Sequence, residues 1–549
     1  MKKTSYITTT VAACLTGLAM SGCSDFLEPK ALSEFVPKDA TALNELLLGE
    51  AYPLNMSSFR LTGFTNLFDD DLTAAPYQVP PEGFDPLAYY SAYTWQPDLW
   101  IKIGTTRTTY GENPYYTCYK YILGCNAILD YIGQAEGDTR ENIDYVLAQA
   151  HALRGFYYLQ LTNLFGMPYY SEGVETAPEK MLAVPLKLAS NIESNPLTRN
   201  TVEEVYDQII RDLTTAVELY EGLPAERQWK PDYRTSLPMA QLILSRAYLY
   251  MGNWEEAAKY AEKVMNNSLF TLFNLNSVPA VDPETASWPA IYQRPYYVDY
   301  LNYTVSTEVI WSYGSVGDAS MWVTDAKTSN DGREIHPYFM ASPELLSTFE
   351  EEDLRKSRYI VTTPRCMITN EKGEKVKMPQ AFGKMRVNFN DNVFIPYGSL
   401  YDFGHALRLS EAYLNYAEAK AMMPGGASDA VKALNTLRQY RFPEDAYAPL
   451  PSLSGDVLIQ EVRDERRREL CFEGHRWFDL RRWGMKEIKH IWYPDANTTE
   501  EYTLGESDLQ FVMPIPQSSI ELNPELQQNP TEAAPRTGET IQTVTPEED

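Results

Sequence analysis

The acidic side chains are the first candidates for chemistry in this chain of 549 residues. The run Asp69-Asp70-Asp71 offers carboxylate oxygens that could bind Ca²⁺, but it lacks the spacing and the glycine of an EF-hand loop. A loop or helix-capping role is the other interpretation of this run. Two carboxylates across a cleft would serve glycoside hydrolysis, yet a chain with 75 acidic residues offers many pairs and none stands out. Calcium is therefore the one cofactor that stays open.

Motifs for other catalytic chemistry are missing from the sequence. It contains no G-x-S-x-G, Walker A or G-x-G-x-x-G motif. It also has no C-x-x-C, HExxH or clustered-histidine signature for zinc. We therefore assign no catalytic residue and expect no metal centre of the zinc type. Missing motifs alone leave a surface glycoside hydrolase open as the alternative to a protein that is not an enzyme.

One cysteine near the start of the chain has neighbours that indicate a covalent modification. The stretch GLAMSGCSDFLEP (17–29) overlaps the end of a short apolar run, Val11 to Met20, which follows Lys2 and Lys3. That run is too short to cross a bilayer, which needs about 20 apolar residues, and it has the layout of a secretory signal peptide. Its end resembles a bacterial lipobox, so we expect cleavage before Cys23 and lipidation of Cys23. An ordinary signal peptide with an incidental cysteine is the alternative.

Composition limits the classes of partner. The formal net charge of −28 argues against nucleic acid or an anionic membrane face as a partner. The chain has 39 Tyr and 10 Trp, and amphipathic rings beyond the needs of a core can supply contact surfaces for a ligand. Cys118 and Cys125 lie too far apart along one predicted helix for a disulfide and are expected in the core.

Helices with apolar faces make up the periodic part of the sequence. Thr201 and Glu204 have capping-box spacing before an apolar face that begins at Val202. Further helices are expected at about 143–164, 406–421 and 428–440. Because these helices follow one another closely, a scaffold of helix pairs is predicted.

One helix pair has a recognisable pattern. The segment LSRAYLYMGNWEEAAKYAEKVM (244–265) resembles a tetratricopeptide repeat, with Ala247 and Ala257 expected where its two helices meet. A small residue followed by an aromatic one returns in LRGFYY (153–158) and in SEAYLN (410–415). These copies are too widely spaced for a continuous solenoid, so large insertions are expected between the helix pairs.

Two insertions, about 69–114 and 270–400, are rich in Tyr, Trp, Pro and Gly and have few helical periods. Within the second, STEVIWSYG (306–314) alternates like a short strand. Long irregular segments in an ordered domain are often functional. The expected parts of the chain are a signal peptide (1–22), a lipid-anchored tether (23–40), a single domain (41–530) and a flexible acidic tail (531–549). Within the domain, the helical scaffold is expected at about 41–68, 115–268 and 401–490.

Aromatic side chains in the insertions are the candidates for ligand binding. Flat rings beside polar neighbours suit the mixed surfaces of sugars and extended peptides. Tyr248, Tyr413 and Trp311 follow helix or strand periodicity and are expected in the core instead. The predicted ligand-binding residues are Tyr77, Trp95, Trp100, Tyr296, Tyr297 and Trp322.

The densest charge pattern is EVRDERRRELCFEGHRWFDLRRWG (461–484). Its arginines could form an anion site. Because acids and bases balance locally, the favoured interpretation is an ion-pair network that joins the terminal helices, with Trp477 and Trp483 packed over it.

Part of this charged segment also resembles a known family. ERRRELCFEGHRWFDLRRWG looks like the C-terminal signature of the SusD/RagB family of outer-membrane nutrient-binding lipoproteins. Four further stretches agree in order: CSDFLEP, SPELLSTFEEEDLRKSRYI (342–360), LRLSEAYLNYAEA and FVMPIPQSSIELNPELQQNP (511–530). The resemblance covers residues 23–530.

The resemblance implies a mainly α SusD-like fold, in which tetratricopeptide-like helix pairs carry long irregular loops, a few short strands and a ligand face. It implies a glycan or oligosaccharide ligand and delivery to a SusC-like TonB-dependent transporter, and some relatives bind peptides instead. It also implies a lipid-anchored, surface-facing outer-membrane protein. A protein-binding tetratricopeptide scaffold is a further alternative, which the large aromatic insertions disfavour.

Overall fold

The computed structural model describes most of the expected domain, with gaps in both insertions. The described residues are 39–54, 61, 63–75, 87–100, 113–192, 195–278, 301–315, 318, 326–328, 335–337, 339–369, 375–380, 384, 387–390, 393–396, 403–495, 497–532 and 534–543. Within these ranges, no helix combines the length and the apolar character that crossing a membrane requires. The fold is mainly α, as predicted.

The helices form the larger part of the described chain. In chain order they are α1 (Ala40–Glu50), α2 (Leu87–Tyr93), α3 (Pro114–Tyr131), α4 (Arg140–Phe165), α5 (Val202–Glu221), α6 (Ala225–Gln228), α7 (Leu237–Tyr250), α8 (Trp254–Met265), α9 (Pro343–Ser347), α10 (Arg355–Arg358), α11 (Leu409–Met422), α12 (Ala427–Arg438), α13 (Gly455–Leu470), α14 (Arg476–Arg482) and α15 (Gln517–Leu522). Helix α4 packs on α3 and α5, and α8 packs on α7 and α11.

Local sequence signals explain where α4 and α5 begin and how they approach. The capping box before α5 is confirmed: the Thr201 hydroxyl accepts from the Glu204 amide, and the Glu204 carboxylate accepts from the Thr201 amide. Gly155 in α4 allows the close approach of α5, because a Cβ atom there would lie 2.8 Å from Leu213 Cγ. The side chain at position 155 is thus restricted by helix packing.

The tetratricopeptide-like pair is confirmed as α7 and α8. Ala247 and Ala257 are fully buried, and the Ser245 hydroxyl donates across the pair to the Ala257 carbonyl oxygen at 2.9 Å. Gly252 makes the turn between the helices with φ of +72°, a conformation that other residues rarely adopt.

Short strands connect the insertions to the helices. They are β1 (Leu72–Ala74), β2 (Val309–Tyr313), β3 (Ala326–Thr328), β4 (Ile335–Pro337), β5 (Phe339–Ala341), β6 (Val361–Thr369), β7 (Lys375–Gln380), β8 (Val387–Asn390), β9 (Val393–Pro396), β10 (His405–Arg408), β11 (Ile488–Asp495), β12 (Thr498–Leu504) and β13 (Glu539–Thr543). The sheets have the orders β1-β5, β10-β2, β11-β12-β13, β3-β4-β6-β7 and β8-β9. The strand predicted within 306–314 is β2, and Trp311 is in the core as expected.

Two predictions about element boundaries are wrong. The segment 406–421 is not helical throughout: residues up to Arg408 pair with β2, and α11 begins only at Leu409. The tail is not wholly flexible, because β13 pairs with β12. Arg536 explains part of this order, since its backbone exchanges two hydrogen bonds with the Gln96 amide group and its guanidinium binds the Asp508 carboxylate.

The charge pattern in 461–484 forms ion pairs, as predicted, partly within the segment and partly with residues of other segments in a buried network. We call the arginine–glutamate network the set Glu308, Arg355, Arg408, Arg441, Glu465 and Glu469. The Glu469 carboxylate accepts from Arg441 at 2.9 Å, from Arg408 at 3.0 Å and from Arg355 at 3.2 Å. Burial alone would raise the pKa of Glu469, but these three guanidinium groups hold it well below its usual range.

The network also reaches the second insertion. The Lys384 ammonium donates to the backbone oxygens of Glu469 and Cys471 and to the Glu473 carboxylate, each at 2.7 Å. Trp477 is buried nearby on α14, and Trp483 lies against the guanidinium of Arg482. Cys118, Cys125 and Cys471 are buried free thiols, in agreement with the expected core role of the first two.

Candidate functional site

Two short strand pairs mark the points where the insertions leave the scaffold. Ala74 of β1 lies opposite Phe339 of β5, and Tyr313 of β2 lies opposite His405 of β10. The segment that follows β1 and carries Tyr77 therefore departs beside the point where the segment that carries Trp322 returns to β5. We call the region of β1, β2, β5 and β10 the loop-face base.

Asp318 joins three chain segments at this base. Its carboxylate oxygen Oδ2 accepts from the Leu61 amide at 3.1 Å and from the Gly63 amide at 3.4 Å, and it lies 2.8 Å from Nε2 of His405. Both Asp318 and His405 are buried. The start of the segment after β2 is thereby fixed against the chain that leads to β1 and against β10.

The end of the segment that carries Tyr296 and Tyr297 reaches the same place. The Ser312 hydroxyl on β2 donates to the Leu301 carbonyl oxygen at 3.1 Å. The ring of Tyr303 lies 6.4 Å from the ring of Phe403, just before β10. The described ends of both insertions thus meet at the loop-face base, although they are far apart in sequence.

Trp100 lies beside this base and is half-buried. Its indole N–H donates to the Pro514 carbonyl oxygen, and its ring lies 5.5 Å from Phe64 in an edge-on arrangement. The ring also lies 6.1 Å from the ring of Phe165, so the scaffold fixes Trp100 while leaving it partly exposed.

The expectation that Trp95 belongs to an exposed platform is wrong. Only 3% of the residue is exposed, its indole N–H donates to the Phe68 carbonyl oxygen at 3.0 Å, and its ring stacks on His490 at 4.2 Å. The polar neighbour that suggested exposure, Gln96, makes internal hydrogen bonds to Arg536. Polar residues beside Trp95 in the sequence therefore did not indicate that its ring is exposed to solvent.

The remaining predicted site residues lie outside the described residues. They are Tyr77, Tyr296, Tyr297 and Trp322, together with the lipidation residue Cys23. Their roles stay predictions.

Asp69, Asp70 and Asp71 form a compact acidic group directly before β1, with one carboxylate oxygen of each within 4.8 Å of the others. We call the aspartate cluster the set Asp69, Asp70, Asp71, Arg467 and Arg476. Arg476 binds both oxygens of Asp70, at 2.6 and 2.8 Å, and Arg467 binds Asp71 at 2.7 Å. Burial would raise the pKa of Asp70, but Arg476 and Arg467 lower it below its usual range.

These residues do not fit a calcium site. Ca²⁺ takes six to eight oxygen ligands, and two arginines already occupy this cluster. Within the described part of the chain, only Asp69 Oδ2 and Asp71 Oδ2 are buried carboxylate oxygens of this cluster without a hydrogen-bond partner. Burial and the neighbouring charges of Asp71 and Asp70 raise the pKa of Asp69 well above its usual range, as expected where three carboxylates share two arginines.

Sequence reasoning missed the residues that organise the base. Asp318, His405 and Leu61 come from three separate segments and form no motif. No sequence pattern indicated Ser342 either. Its hydroxyl donates to the Asp70 carbonyl oxygen at 2.6 Å and its amide to the Asp71 carbonyl oxygen at 2.8 Å. These contacts depend on the register of β1 against β5, which no pattern within a single sequence predicts.

Two family models match the chain in different parts. The model described as the SusD family matches residues 397–531. The model described as starch-binding associating with outer membrane matches residues 85–249. The matched ranges contain helices α3 to α5 and α11 to α14 of the scaffold.

Individual relatives agree with these matches. The chain is 26% identical over 416 residues to SusD-like protein P2 of Formosa agariphila, covering 71% of this chain and 75% of the relative. A SusD superfamily protein from Bacteroides vulgatus superposes with a TM-score of 0.64 at 18% identity, covering 90% of this chain and 99% of that one. A SusD-like carbohydrate binding protein from the same organism has a TM-score of 0.61 at 21% identity, covering 89% and 98%. At these identities the solved structures establish the shared fold.

Proposed function

This chain belongs to the SusD/RagB family, and from that premise we propose that it is an outer-membrane protein that binds carbohydrate and delivers it to a transporter. The family description that names starch binding and the outer membrane supports the ligand class and the location. The name of the structural relative that binds carbohydrate supports the same ligand class.

The observation that carries the proposal is the convergence of both insertions on one base. The register of β1 with β5 and of β2 with β10 sets the described ends of the aromatic-rich segments side by side. Rings on these segments would then share one surface, which is what a multi-sugar ligand requires. The proposed ligand-binding residues are Tyr77, Trp100, Tyr296, Tyr297 and Trp322.

We assign no chemical step to this protein. The family descriptions name binding, and the acidic groups at the base are held by arginines rather than aimed at a cleft. A retaining or inverting hydrolase would need two carboxylates with different pKa values facing the substrate. In the aspartate cluster, Asp69 and Asp71 are buried and Asp70 is bound by Arg476, so the cluster does not present such a pair to a substrate.

The membrane attachment and the partner follow from the sequence. Lipidation of Cys23 would tether the domain to the outer membrane with the acyl chains as anchor. A SusC-like TonB-dependent transporter encoded beside this protein is the proposed receiver of the ligand, because a tethered binding protein has no route of its own across the membrane.

A binding screen tests the ligand class. The full-length protein is to be titrated with a panel of polysaccharides that begins with starch, and with a tryptic digest of casein as the peptide arm. We expect heat of binding with at least one polysaccharide. Binding of peptides alone would replace carbohydrate by peptide as the ligand class, and a protein that binds neither would contradict the proposal.

The anchor has a separate test. In Cys23→Ala, incorporation of a clickable palmitate analogue should disappear, and the protein should leave the membrane fraction or stay unprocessed. Cys118→Ala, which changes a buried thiol, is the matched control and should keep the label. Label that persists in Cys23→Ala would contradict lipidation at this residue.

A further inference from the structure

One outer face of α3 carries large apolar side chains that no described residue covers. Tyr116, Leu123 and Tyr131 are 48%, 47% and 38% exposed. They lie along one side of the helix because their spacings of seven and eight residues correspond to about two turns each. The row is about 22 Å long, from 15 residues at about 1.5 Å each.

A loop runs along this row and widens it. The Tyr119 hydroxyl donates to the Pro185 carbonyl oxygen at 2.6 Å, the Asn126 amide to the Lys187 carbonyl oxygen at 2.8 Å, and the Ser190 amide to Asp130 at 2.7 Å. These three contacts follow α3 toward its C-terminal end. The loop adds two further exposed apolar side chains, Leu188 and Ile192, of which Ile192 is 96% exposed.

We call this surface the α3 face, made of Tyr116, Leu123, Tyr131, Leu188 and Ile192. Among the described residues, eleven large hydrophobic side chains are strongly exposed, and these five are gathered here. Single exposed apolar residues are ordinary, whereas a contiguous group marks an interaction surface.

The position of the α3 face relates it to the membrane anchor. The Ala40 amide at the start of α1 donates to Asp138, in the connection that follows α3, and α1 packs against α3. The tether from Cys23 to Asp39 therefore leaves the domain near the end of α3 that carries Tyr131. Sixteen residues span at most about 55 Å when fully extended, so lipidation at Cys23 would hold this end of the domain within that distance of the membrane.

We propose that the α3 face docks against the extracellular surface of the outer-membrane transporter, an inference that rests on the proposed function. A protein fits better than lipid for two reasons. Tyrosine and large aliphatic groups are typical of the centre of protein interfaces. An anionic lipid surface would be repelled by a chain of net charge −28 and by Asp130 and Asp138 beside the face, which carries no polybasic cluster of the kind that binds such surfaces.

Photo-crosslinking identifies the occupant directly. The full-length lipoprotein, with Leu123→p-benzoylphenylalanine, is to be co-expressed with the neighbouring transporter and irradiated in outer membranes. We expect a product that contains both proteins. Val457→p-benzoylphenylalanine, at a 66% exposed aliphatic position on α13, is the matched control and should give none. Products with lipid alone, or with a second copy of this chain alone, would overturn the proposal.

Charge substitution supplies an independent measurement. Leu123→Glu/Ile192→Glu should lower the amount of transporter that co-purifies from detergent by about tenfold or more, since it places charges at the centre of an interface. The control Val457→Glu/Leu269→Glu makes the same change at exposed sites elsewhere and should retain the complex. Both variants should keep the ligand affinity of the unmodified protein.

The outcomes separate this proposal from the function on which it rests. An unmodified protein that binds carbohydrate and co-purifies with the transporter, while the α3-face variant co-purifies equally well, overturns the docking face alone. An unmodified protein that does not co-purify at all overturns both the transporter partnership and the docking face. Loss of the complex in the control variant as well would show that the effect comes from added charge, which also overturns the docking face.

Discussion

The scaffold and the loop-face base bury acidic groups in opposite ways. In the arginine–glutamate network, Glu469 alone is bound by three arginines, and the pKa values of Glu465 and Glu469 are lowered despite burial. In the aspartate cluster, three carboxylates share two arginines, and the pKa of Asp69 is raised. Direct contact with guanidinium groups accounts for the difference: despite burial, Arg476 and Arg467 lower the pKa of Asp70, whereas burial and the neighbouring carboxylates raise the pKa of Asp69.

This difference indicates different roles for the arginine–glutamate network and the loop-face base. The network joins α10 and α13 to the end of β10, to Glu308 just before β2 and to Arg441 just after α12. Its side chains are fully hydrogen-bonded, so it specifies how the scaffold packs. The base holds its segments by two short strand pairs and a few side chains such as Asp318 and Ser342. A few long-range connections of this kind leave room for loops that must fit a particular ligand.

The largest effect is expected from breaking the network at its centre. Glu469→Gln keeps the shape of the side chain but removes the buried carboxylate that Arg355, Arg408 and Arg441 share, which should cost about 3–5 kcal/mol of unfolding free energy. Urea unfolding followed by circular dichroism measures this loss. The control Glu506→Gln, in an exposed pair with Lys486, should change stability by less than about 0.5 kcal/mol. Equal effects would mean that the network does not stabilise the fold.

The pH dependence of stability is the next largest effect. Burial would raise the pKa of Glu418, but Arg482 lowers it to about 2. A carboxyl group with a lowered pKa stabilises the fold above its unfolded-state pKa, and this contribution disappears as the pH falls through the folded-state pKa. The stability difference between the unmodified protein and Glu418→Gln should therefore shrink by about 3 kcal/mol between pH 7 and pH 2. A constant difference across this range, measured by urea unfolding, would contradict the lowered pKa.

Overpacking the tetratricopeptide-like pair should have a smaller effect. Ala247→Leu adds volume where α7 meets α8, which should lower the unfolding free energy by about 1–3 kcal/mol. Ala225→Leu, at an exposed position on α6, is the matched control and should leave the thermal midpoint unchanged. An unchanged midpoint in Ala247→Leu would mean that the helix contact is looser than the structure indicates.

The smallest effect is expected at the aspartate cluster. Asp69→Asn replaces a carboxyl group with a raised pKa by a neutral side chain of the same shape, so stability at pH 5 should change by less than about 1 kcal/mol. A group with a raised pKa contributes stability below its unfolded-state pKa, and this is lost as the pH rises through the folded-state pKa. Between pH 5 and pH 8, the unfolding free energy of the variant, measured by urea unfolding, should therefore increase relative to that of the unmodified protein.

Asp70→Asn is the matched control for this cluster. It leaves Arg476 without its charge partner and should cost about 3–5 kcal/mol. If Asp69→Asn is as costly as Asp70→Asn, then Asp69 is ionised in the folded protein and the comparison of the two regions fails.

Much of the scaffold could be predicted because its signals are local. The capping box at Thr201 and the small residues Ala247 and Ala257 act within one or two helical turns, so spacing alone identifies them. Ion pairs within 461–484, such as Arg466 with Asp479 and Arg468 with Glu465, were also foreseeable, because acids and bases alternate there. The arginines around Glu469 come from other segments and were not predicted. The predicted start of α11 was wrong because strand pairing with β2, a contact over about 100 residues, overrides the helical pattern at His405–Arg408.

The loop-face base could not be predicted for the same physical reason. Asp318, His405 and Leu61 meet only after three distant segments are folded together, and no spacing in the sequence encodes that contact. Trp95 and Trp100 looked alike as sequence, but Trp95 adopts a φ of +50° that turns its ring into the core against His490. The tail was expected to be flexible from its polarity, yet Arg536 finds partners in Gln96 and Asp508 that lie far away in the chain.

The central claim, carbohydrate binding at the loop-face base, is tested most directly by calorimetry with the polysaccharide found in the screen. Trp322→Ala and Trp100→Ala should each raise the dissociation constant by about tenfold or more, since a stacked ring contributes strongly to binding. Trp254→Ala, which removes a half-buried ring beside Tyr170 on the scaffold, should bind like the unmodified protein. Equal affinity in all three variants, or loss of binding only in Trp254→Ala, would contradict the account.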